Sequence, residues 1–245
     1  MITRLKNRLE GDFFVKYRHE LKHEITTGDM ITIRQRLRAV AEPDPHTVSG
    51  KYLIRSLYFD TPTDRALLEK INGVSRRQKF RIRYYNGDKS LIHLEKKCKI
   101  GGLGCKISAN LTEEEARSIV EGDIGWMEFS DNELIKELHS RMVSEMLGPK
   151  VIVDYTREPF IYRPGNVRVT LDYNIRTGMR NIDFLDTDCI TVPAAFGQCI
   201  MEVKWDEFLP EIIRDAVQLS HARTGSFSKY EACRLPTVDL VNYEF

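Results

Sequence analysis

Arg81 and Arg83 stand two residues apart in the stretch KFRIRYY, and Glu95 and Lys97 stand two apart in HLEKK. On a β-strand that spacing puts both members of a pair on one face. Two guanidinium groups side by side present planar forks that match phosphate or carboxylate oxygens. The same period recurs in Arg18, Glu20 and Lys22, in Arg168, Thr170 and Asp172, and in Glu202 and Lys204. An antiparallel sheet with one wet face also alternates in this way. Ordinary wet faces, however, mix in Ser, Thr and Gln, whereas these sets are dominated by Arg and Lys. The cations Arg18, Lys22, Arg81, Arg83, Lys97, Arg168 and Lys204 outnumber Glu20, Glu95, Asp172 and Glu202. If the strands curl so that these faces meet, like charges 4 Å apart cost about 4 kcal/mol at an effective dielectric of about 20. An empty basic enclosure would be unstable. A polyanion filling the middle, with carboxylates holding a divalent cation beside it, resolves the repulsion and predicts a phosphate tunnel.

The elements that must carry these side chains are mostly strands. Asn86-Gly87 tolerates the positive φ of a tight turn, so Lys79–Lys99 reads as a β-hairpin. Phe13–Ile25 reads as one strand, and YLIRSLYFDT, KVIVDYTREPFIY, NVRVTLDYNI, RNIDFLD and QCIMEVKWDEF read as further strands. Helical spacing appears in TGDMITIRQRLRAV, in TDRALLEKI behind Pro62, and in DNELIKELHSRMVSEML before Gly148-Pro149. LTEEEARSIV carries Thr112 and Glu115 at capping-box spacing, and Pro210 introduces the helix EIIRDAVQLSHA. KIGGLGCKISAN is a glycine-bearing connection, and the prolines of EPDPH break the first helix. The expected class is α+β on an antiparallel sheet.

The chain of 245 residues can bury a sizeable core, and its 42% hydrophobic and 30% charged content suits a globular protein. A formal charge of +1 speaks against a nucleic-acid coat while leaving room for a local basic site. No apolar run reaches the roughly 18 residues of a membrane span, and the amino terminus lacks the apolar stretch of a signal peptide, so the expected location is cytoplasmic. Cys98, Cys105, Cys189, Cys199 and Cys233 are odd in number and form no CxxC pair, which favours reduced thiols over zinc or a disulfide framework.

The succession YRHELKHEI, RSLYFDTP, KFRIRYY, HLEKK, VIVDYTREPF, VRVTLD, IMEVKW and FSKYE resembles the VTC (vacuolar transporter chaperone) polyphosphate polymerase domain, of the triphosphate tunnel metalloenzyme superfamily. ExK alone is common; eight motifs in order, from about Phe13 to about Arg234, are specific. The resemblance implies a single domain over 1–245 built on a closed antiparallel β-barrel whose bore binds triphosphate. It also implies transfer of the ATP γ-phosphate to a growing polyphosphate chain with Mn²⁺ or Mg²⁺. By that likeness Lys22, Arg81, Arg83, Lys97, Arg157, Lys204 and Lys229 are the catalytic cations. Glu202 is the metal ligand, joined by Asp172, and Arg18, Arg168, Glu20 and Glu95 line the substrate path. Glu20 and Glu95 are expected mainly to keep neighbouring lysines protonated and oriented. Eukaryotic members carry an SPX domain and membrane helices beside this module. Neither pattern occurs here, so inositol-phosphate regulation and translocation gain no support, and the bacterial stand-alone type is the closer likeness. The implied partners are ATP and inorganic polyphosphate, without nucleic acid and without membrane insertion of this chain; a membrane partner stays open.

Rival motifs fall away. GGLGCKIS does not meet GxxxxGK[ST], since Ile107 follows Lys106. The six histidines show no HExxH spacing, and His93 reads as structural. Ser226 and Ser228 lack a nucleophile elbow. Adenine has two candidate platforms, Tyr58 and Tyr85, and nothing in the sequence selects one. Two other functions compete with polymerisation: a tunnel-type tripolyphosphatase or nucleoside triphosphatase, and a polyanion-binding module without turnover. Glu202 counts against the last, because anion binding alone gains little from a metal-holding carboxylate.

Overall fold

The computed structural model describes residues 7–10, 13–16, 18–101, 103–195, 197–219, 223–224 and 227–235. Its strands are β1 (Asn7–Glu10), β2 (Phe13–Lys16), β3 (His19–Ile25), β4 (Glu42–Pro43), β5 (Tyr52–Asp60), β6 (Arg76–Tyr85) and β7 (Asp88–Ile100). They continue with β8 (Leu103–Leu111), β9 (Gly148–Tyr162), β10 (Val167–Thr177), β11 (Val192–Pro193), β12 (Cys199–Trp205) and β13 (Arg223–Thr224). The helices are α1 (Thr27–Val40), α2 (Arg65–Ile71), α3 (Glu113–Glu121), α4 (Glu133–Glu145), α5 (Glu211–Val217) and α6 (Lys229–Arg234).

An 11-stranded antiparallel sheet runs in the order β13-β3-β12-β10-β9-β5-β6-β7-β8, with β11 on β10 and β4 on β9. The closed barrel is not formed by this ladder. β13 takes the outer edge of β3 at His23 and Glu24. Among the described residues, the bridge between Arg18 and Gly104 is what joins the β8 end of the sheet to the other end, through N–H···O bonds of 3.2 and 3.4 Å. The sheet is therefore curled, and its two ends meet at one point.

Strand alternation decides what lies on each side. On the convex side, Phe80, Ile82, Leu94 and Ile107 pack against Ala116 and Ile119 of α3 and Leu134, Ile135 and Leu138 of α4. A second convex core joins Val169, Leu171, Met201 and Val203 to Ile33 and Leu37 of α1 and Ile213 of α5. Tyr58, Val153, Tyr155 and Ile200 meet Tyr230 and Cys233 of α6 in a third cluster. The first two cores cover the outer face, and the third lies on the inner face beside the charged side chains, where Tyr58 is opposite Arg81 and Ile200 opposite Asp172.

Local signals mostly hold. Thr26 and Thr112 both form capping boxes, with Asp29 and Glu115. Asn86 and Gly87 both take positive φ, 53° and 75°, as a tight hairpin turn demands. Three readings need correction. Phe13–Ile25 is two strands, because Phe13 folds back on Glu10 in a β1–β2 hairpin before β3 begins. RNIDFLD forms turns, since buried Phe184 and Leu185 satisfy their apolar character by packing into the convex core without a strand partner. The helix after Pro210 stops at Val217, where Gln218 is extended at φ −71° and ψ 131°. Cys98, Cys105, Cys189, Cys199 and Cys233 are buried and in the thiol form. Among the described residues no helix is long and apolar enough to cross a membrane.

Candidate active site

The inner face gathers side chains from β3, β5, β6, β7, β9, β10, β12 and α6. Register sets the rows. Lys204 of β12 lies between Arg168 of β10 and Glu20 of β3, and Glu202 lies between Thr170 and Lys22. Arg81 lies between Tyr58 of β5 and Glu95 of β7. Lys79 is opposite Lys97, which is in turn opposite Lys106 of β8.

Arg81 and Arg83 are each 3% exposed, so they are wall groups of an enclosed site and not a solvated face. Arg81 Nε donates to Glu95 Oε2 at 2.7 Å, and Nη1 donates to the Tyr58 hydroxyl at 2.7 Å. Arg83 donates to the Ser56 hydroxyl at 3.1 Å and to the Tyr155 hydroxyl at 2.9 Å, and its distance to Glu95 is 3.8 Å. Its charge is thus offset weakly. Glu95 also accepts from Lys106 at 3.1 Å. Burial raises the carboxyl's pKa, but Arg81, Arg83, Lys106 and Lys97 outweigh it and hold Glu95 well below the ordinary value.

Arg157 forms a fork to Asp172, Nε to Oδ1 at 2.6 Å and Nη2 to Oδ2 at 2.7 Å, and also reaches Glu202 at 3.3 Å. Lys229 Nζ meets Asp172 Oδ2 at 2.6 Å. Desolvation raises the Asp172 pKa, yet Arg157 and Lys229 bring it down to about 2. Lys22 lies 2.6 Å from Glu20 and 3.8 Å from Glu202, and Lys204 lies 3.0 Å from Glu202. Burial lowers the Lys22 pKa, but Glu202 and Glu20 overcome that and raise it above the ordinary lysine value. Lys97 is held well below its ordinary value, first by Arg81 and then by burial and Lys204.

Seven expected cations therefore share one inner surface: Lys22, Arg81, Arg83, Lys97, Arg157, Lys204 and Lys229. Glu20 does hold a lysine, whereas Glu95 holds Arg81 together with Lys106. Two groups lie toward the rim. Arg18 pairs with Asp206 at 2.7 Å and donates to the Asn166 carbonyl, and Arg168 pairs with Asp44 at 2.9 Å. Tyr58 is buried, bonded to Arg81 and stacked on Tyr230, while half-buried Tyr85 lies edge-on to Tyr52. Tyr230 thus covers one face of Tyr58, and the Arg83 guanidinium lies over one face of Tyr85, 5.7 Å from its centroid.

Several site groups went unread in the sequence. Lys79 shares the period-two face of Arg81, Arg83 and Tyr85 by its spacing in the sequence, and it was given no role in the site. Ser56 and Tyr155 follow from the same alternation on β5 and β9. Lys106 falls within the glycine-bearing connection, which is in fact the start of β8. Asp44 comes from an irregular segment, and no pattern announces it.

A divalent cation finds a partial cradle here. Glu202 is buried, with Lys204 Nζ 3.0 Å from its Oε1 and Arg157 Nη2 3.3 Å from its Oε2, and Glu20 lies within hydrogen-bonding reach of the same carboxylate. Asp172 is gripped at 2.6 and 2.7 Å by Arg157 and at 2.6 Å by Lys229, closer than Lys204 and Arg157 stand to Glu202, at 3.0 and 3.3 Å, so Glu202 is the more loosely held oxygen donor, with Glu20 beside it. Among the described residues no group of three or more His, Cys, Asp or Glu converges. Hard cations that keep water and substrate phosphates as ligands need only one or two carboxylates, so the residues fit such an ion.

A family model described as the VTC domain matches residues 17–236. Among curated proteins none matches the sequence. Of solved structures, a Hippeastrum protein described as an adenylyl cyclase candidate with a dominant triphosphatase activity is 12% identical, with a TM-score of 0.51. The alignment covers 87% of this chain and 93% of that chain. A Bacillus halodurans protein described as an adenylate cyclase candidate is 14% identical with a TM-score of 0.49, covering 78% of this chain and 81% of that one. The Hippeastrum likeness shows the fold.

Proposed function

The chain belongs to the VTC domain family, and from that premise we propose that it is a polyphosphate polymerase, moving the γ-phosphate of ATP onto the end of an inorganic polyphosphate chain. One observation carries this reading: Arg81, Arg83, Arg157, Lys22, Lys97, Lys204 and Lys229 converge on one inner face with fewer carboxylates than cations beside them. Such a surface is incomplete without a polyanion.

Phosphoryl transfer asks little covalent chemistry of a protein, because charge spreads over the equatorial oxygens of the transferred group and catalysis rests on positioning and electrostatics. Arg83 is the arginine with the least internal compensation, so its guanidinium is free to take a phosphate oxygen by charge-assisted hydrogen bonds. Arg81 and Arg157 are pre-aimed by the Glu95 and Asp172 forks, which lowers the ordering cost on binding. Lys22, Lys97, Lys204 and Lys229 act as point charges along the anion. A Mn²⁺ or Mg²⁺ ion held by Glu202 with Glu20 would neutralise oxygens of the diphosphate leaving group. No side chain is needed as a base when the attacking group is an ionised phosphate end. The proposed setting is the cytoplasm, where ATP is abundant.

Hydrolysis of a triphosphate is the second reading, favoured by the triphosphatase activity in the description of the Hippeastrum protein of similar fold. Incubation with ATP and Mn²⁺ followed by gel electrophoresis separates the outcomes. A phosphate ladder supports polymerisation. Free phosphate without a ladder supports hydrolysis, and unchanged ATP points to a binding module.

A further inference from the structure

Lys79 differs from most of the inner-face cations in its company. Lys22, Arg81, Arg157, Lys204 and Lys229 each touch a carboxylate within 3.1 Å. Lys79 has none among the described residues. Its amine is 3.4 Å from the Ser228 hydroxyl and lies over two stacked rings, 5.8 Å from the Tyr58 centroid and 5.6 Å from that of Tyr230. Aromatic faces and a hydroxyl position an ammonium group without neutralising it.

The charges facing it are mostly of its own sign. They are Arg77 and Arg81 on β6, Lys97 opposite on β7, Lys22 on β3 and Lys70 on α2. The carboxylates nearest this end of β6, Asp60, Glu69 and Glu145, line a separate cavity of about 190 Å³ with Phe59, Phe80 and Arg141, on the side of α2 and α4. All three are committed. Asp60 accepts from the Thr61, Ala66 and Leu67 amides and the Tyr230 hydroxyl, Glu69 accepts from Arg65, and Glu145 accepts from Arg65 and Arg141. Burial first, then Lys22, Arg81, Arg77 and Lys70, pushes the amine down to about 7. A phosphate oxygen arriving next to it would reverse the balance, since an opposite charge within about 4–6 Å favours the protonated form.

We propose that Lys79 is an anion-binding group of this site that takes up a proton when an oligophosphate enters, so that filling the tunnel is coupled to proton uptake. The inference rests on the reading of the inner face as a polyanion site and adds to it a residue and a linkage. The proton comes from solvent, the amine gains it, and no bond in the anion changes. Lys97 faces Lys79 across the ladder, and its own proton is disfavoured by Arg81, so two neighbouring amines compete for the same anion.

Calorimetric titration of the full chain with inorganic tripolyphosphate, without divalent cation, tests this at pH 7.5 in buffers of low and high ionisation heat. The dependence of the observed heat on the buffer's ionisation heat counts protons exchanged. Wild type is expected to take up about 0.7 proton more than Lys79→Arg, because an amine of pKa about 7 is only about one-quarter charged at that pH whereas Arg is always charged. Lys79→Arg keeps its affinity, and Lys79→Met loses tenfold or more. Any proton released by tripolyphosphate itself is common to both proteins and cancels in the difference. Equal proton counts for wild type and Lys79→Arg would overturn the Lys79 assignment while leaving the polyanion site standing. Absence of tripolyphosphate binding by wild type would instead remove the site reading on which it rests.

Discussion

Arg157 and Asp172 face each other in register on β9 and β10, joined by two parallel hydrogen bonds of 2.6 and 2.7 Å, with the carboxylate fully buried. Lys229 reaches the same carboxylate from α6 at 2.6 Å, so one aspartate fixes two cations that arrive from distant parts of the chain. The inner face is thus held as a charge lattice before any anion arrives. Arg81, Arg157 and Lys22 are held by carboxylates standing beside them on the neighbouring strands.

Removing that aspartate should be costly. In Asp172→Ala the Arg157 and Lys229 charges lose their shared partner in a buried setting, which typically costs about 3–5 kcal/mol. For a chain of this size that corresponds to a fall in Tm of roughly 10 °C or more. Thermal unfolding followed by circular dichroism measures it. An unchanged Tm would show that solvent reaches the pair far more than the geometry indicates.

Arg81 and Arg83 should separate stability from turnover. Arg83 leans on the neutral hydroxyls of Ser56 and Tyr155, which can reorient when it is gone, while Arg81 neutralises Glu95 directly. Arg83→Ala is expected to lower turnover by about 10²–10³-fold, the usual effect of losing one transition-state donor, with little change in Tm. Arg81→Ala should lose turnover and also several degrees of Tm, because a buried carboxylate is left short of its main partner. Product formation from ATP and Tm on both variants decide the matter, and equal Tm losses would contradict the contrast.

Much of this lattice was legible as period-two alternation. The hairpin carrying Arg81, Arg83, Glu95 and Lys97 follows from Asn86-Gly87 and from the apolar residues Phe80, Ile82 and Leu94, which pick the convex side. What could not be read was pairing. Nothing local ties Asp44 to Arg168 or Asp172 to Lys229, because those contacts depend on how far the sheet curls. Closure was overread for the same reason: the bridge at Arg18 and the competing strand Arg223–Thr224 are edge events that alternation cannot see. The segment around Phe184 misled because apolar residues that plug a core from a turn look like residues of a short strand.

Acid should unfold the protein through the same carboxylates. Asp172 falls from an ordinary 3.8 to about 2, and Glu95 and Glu202 also lie well below their usual value. A depressed folded-state pKa means that the unfolded chain binds more protons between the two values. The stabilisation is then complete above about pH 4–4.5 and is lost as pH falls toward 2. The Asp172 shift alone is worth about 2–3 kcal/mol. Tm should therefore be nearly level from pH 7 to 5 from these groups and drop steeply below about 4, with a shallower drop in Asp172→Asn. An identical acid slope in that variant would contradict the assignment.

The two glutamates nearest the proposed cation should behave unlike the third. Glu202 and Glu20 come together from β12 and β3, and Lys204 and Arg157 hold Glu202 at 3.0 and 3.3 Å, more loosely than Arg81 holds Glu95. Glu95 is spent on Arg81 and Lys106. Glu202→Gln and Glu20→Gln should each raise the Mn²⁺ concentration for half-maximal turnover by about tenfold or more, the larger effect at Glu202, because a neutral amide is a weaker ligand for a hard cation. Glu95→Gln should lower Tm and leave the Mn²⁺ requirement near wild type. Mn²⁺ binding read directly by electron paramagnetic resonance, with ATP absent and present, separates lost metal from lost phosphate contacts. Most of the difference between variants should appear with ATP bound, since the protein supplies only part of the coordination shell and phosphate oxygens supply the rest. A Mn²⁺ requirement raised by Glu95→Gln and untouched by Glu202→Gln would move the cation to the β6–β7 side of the inner face.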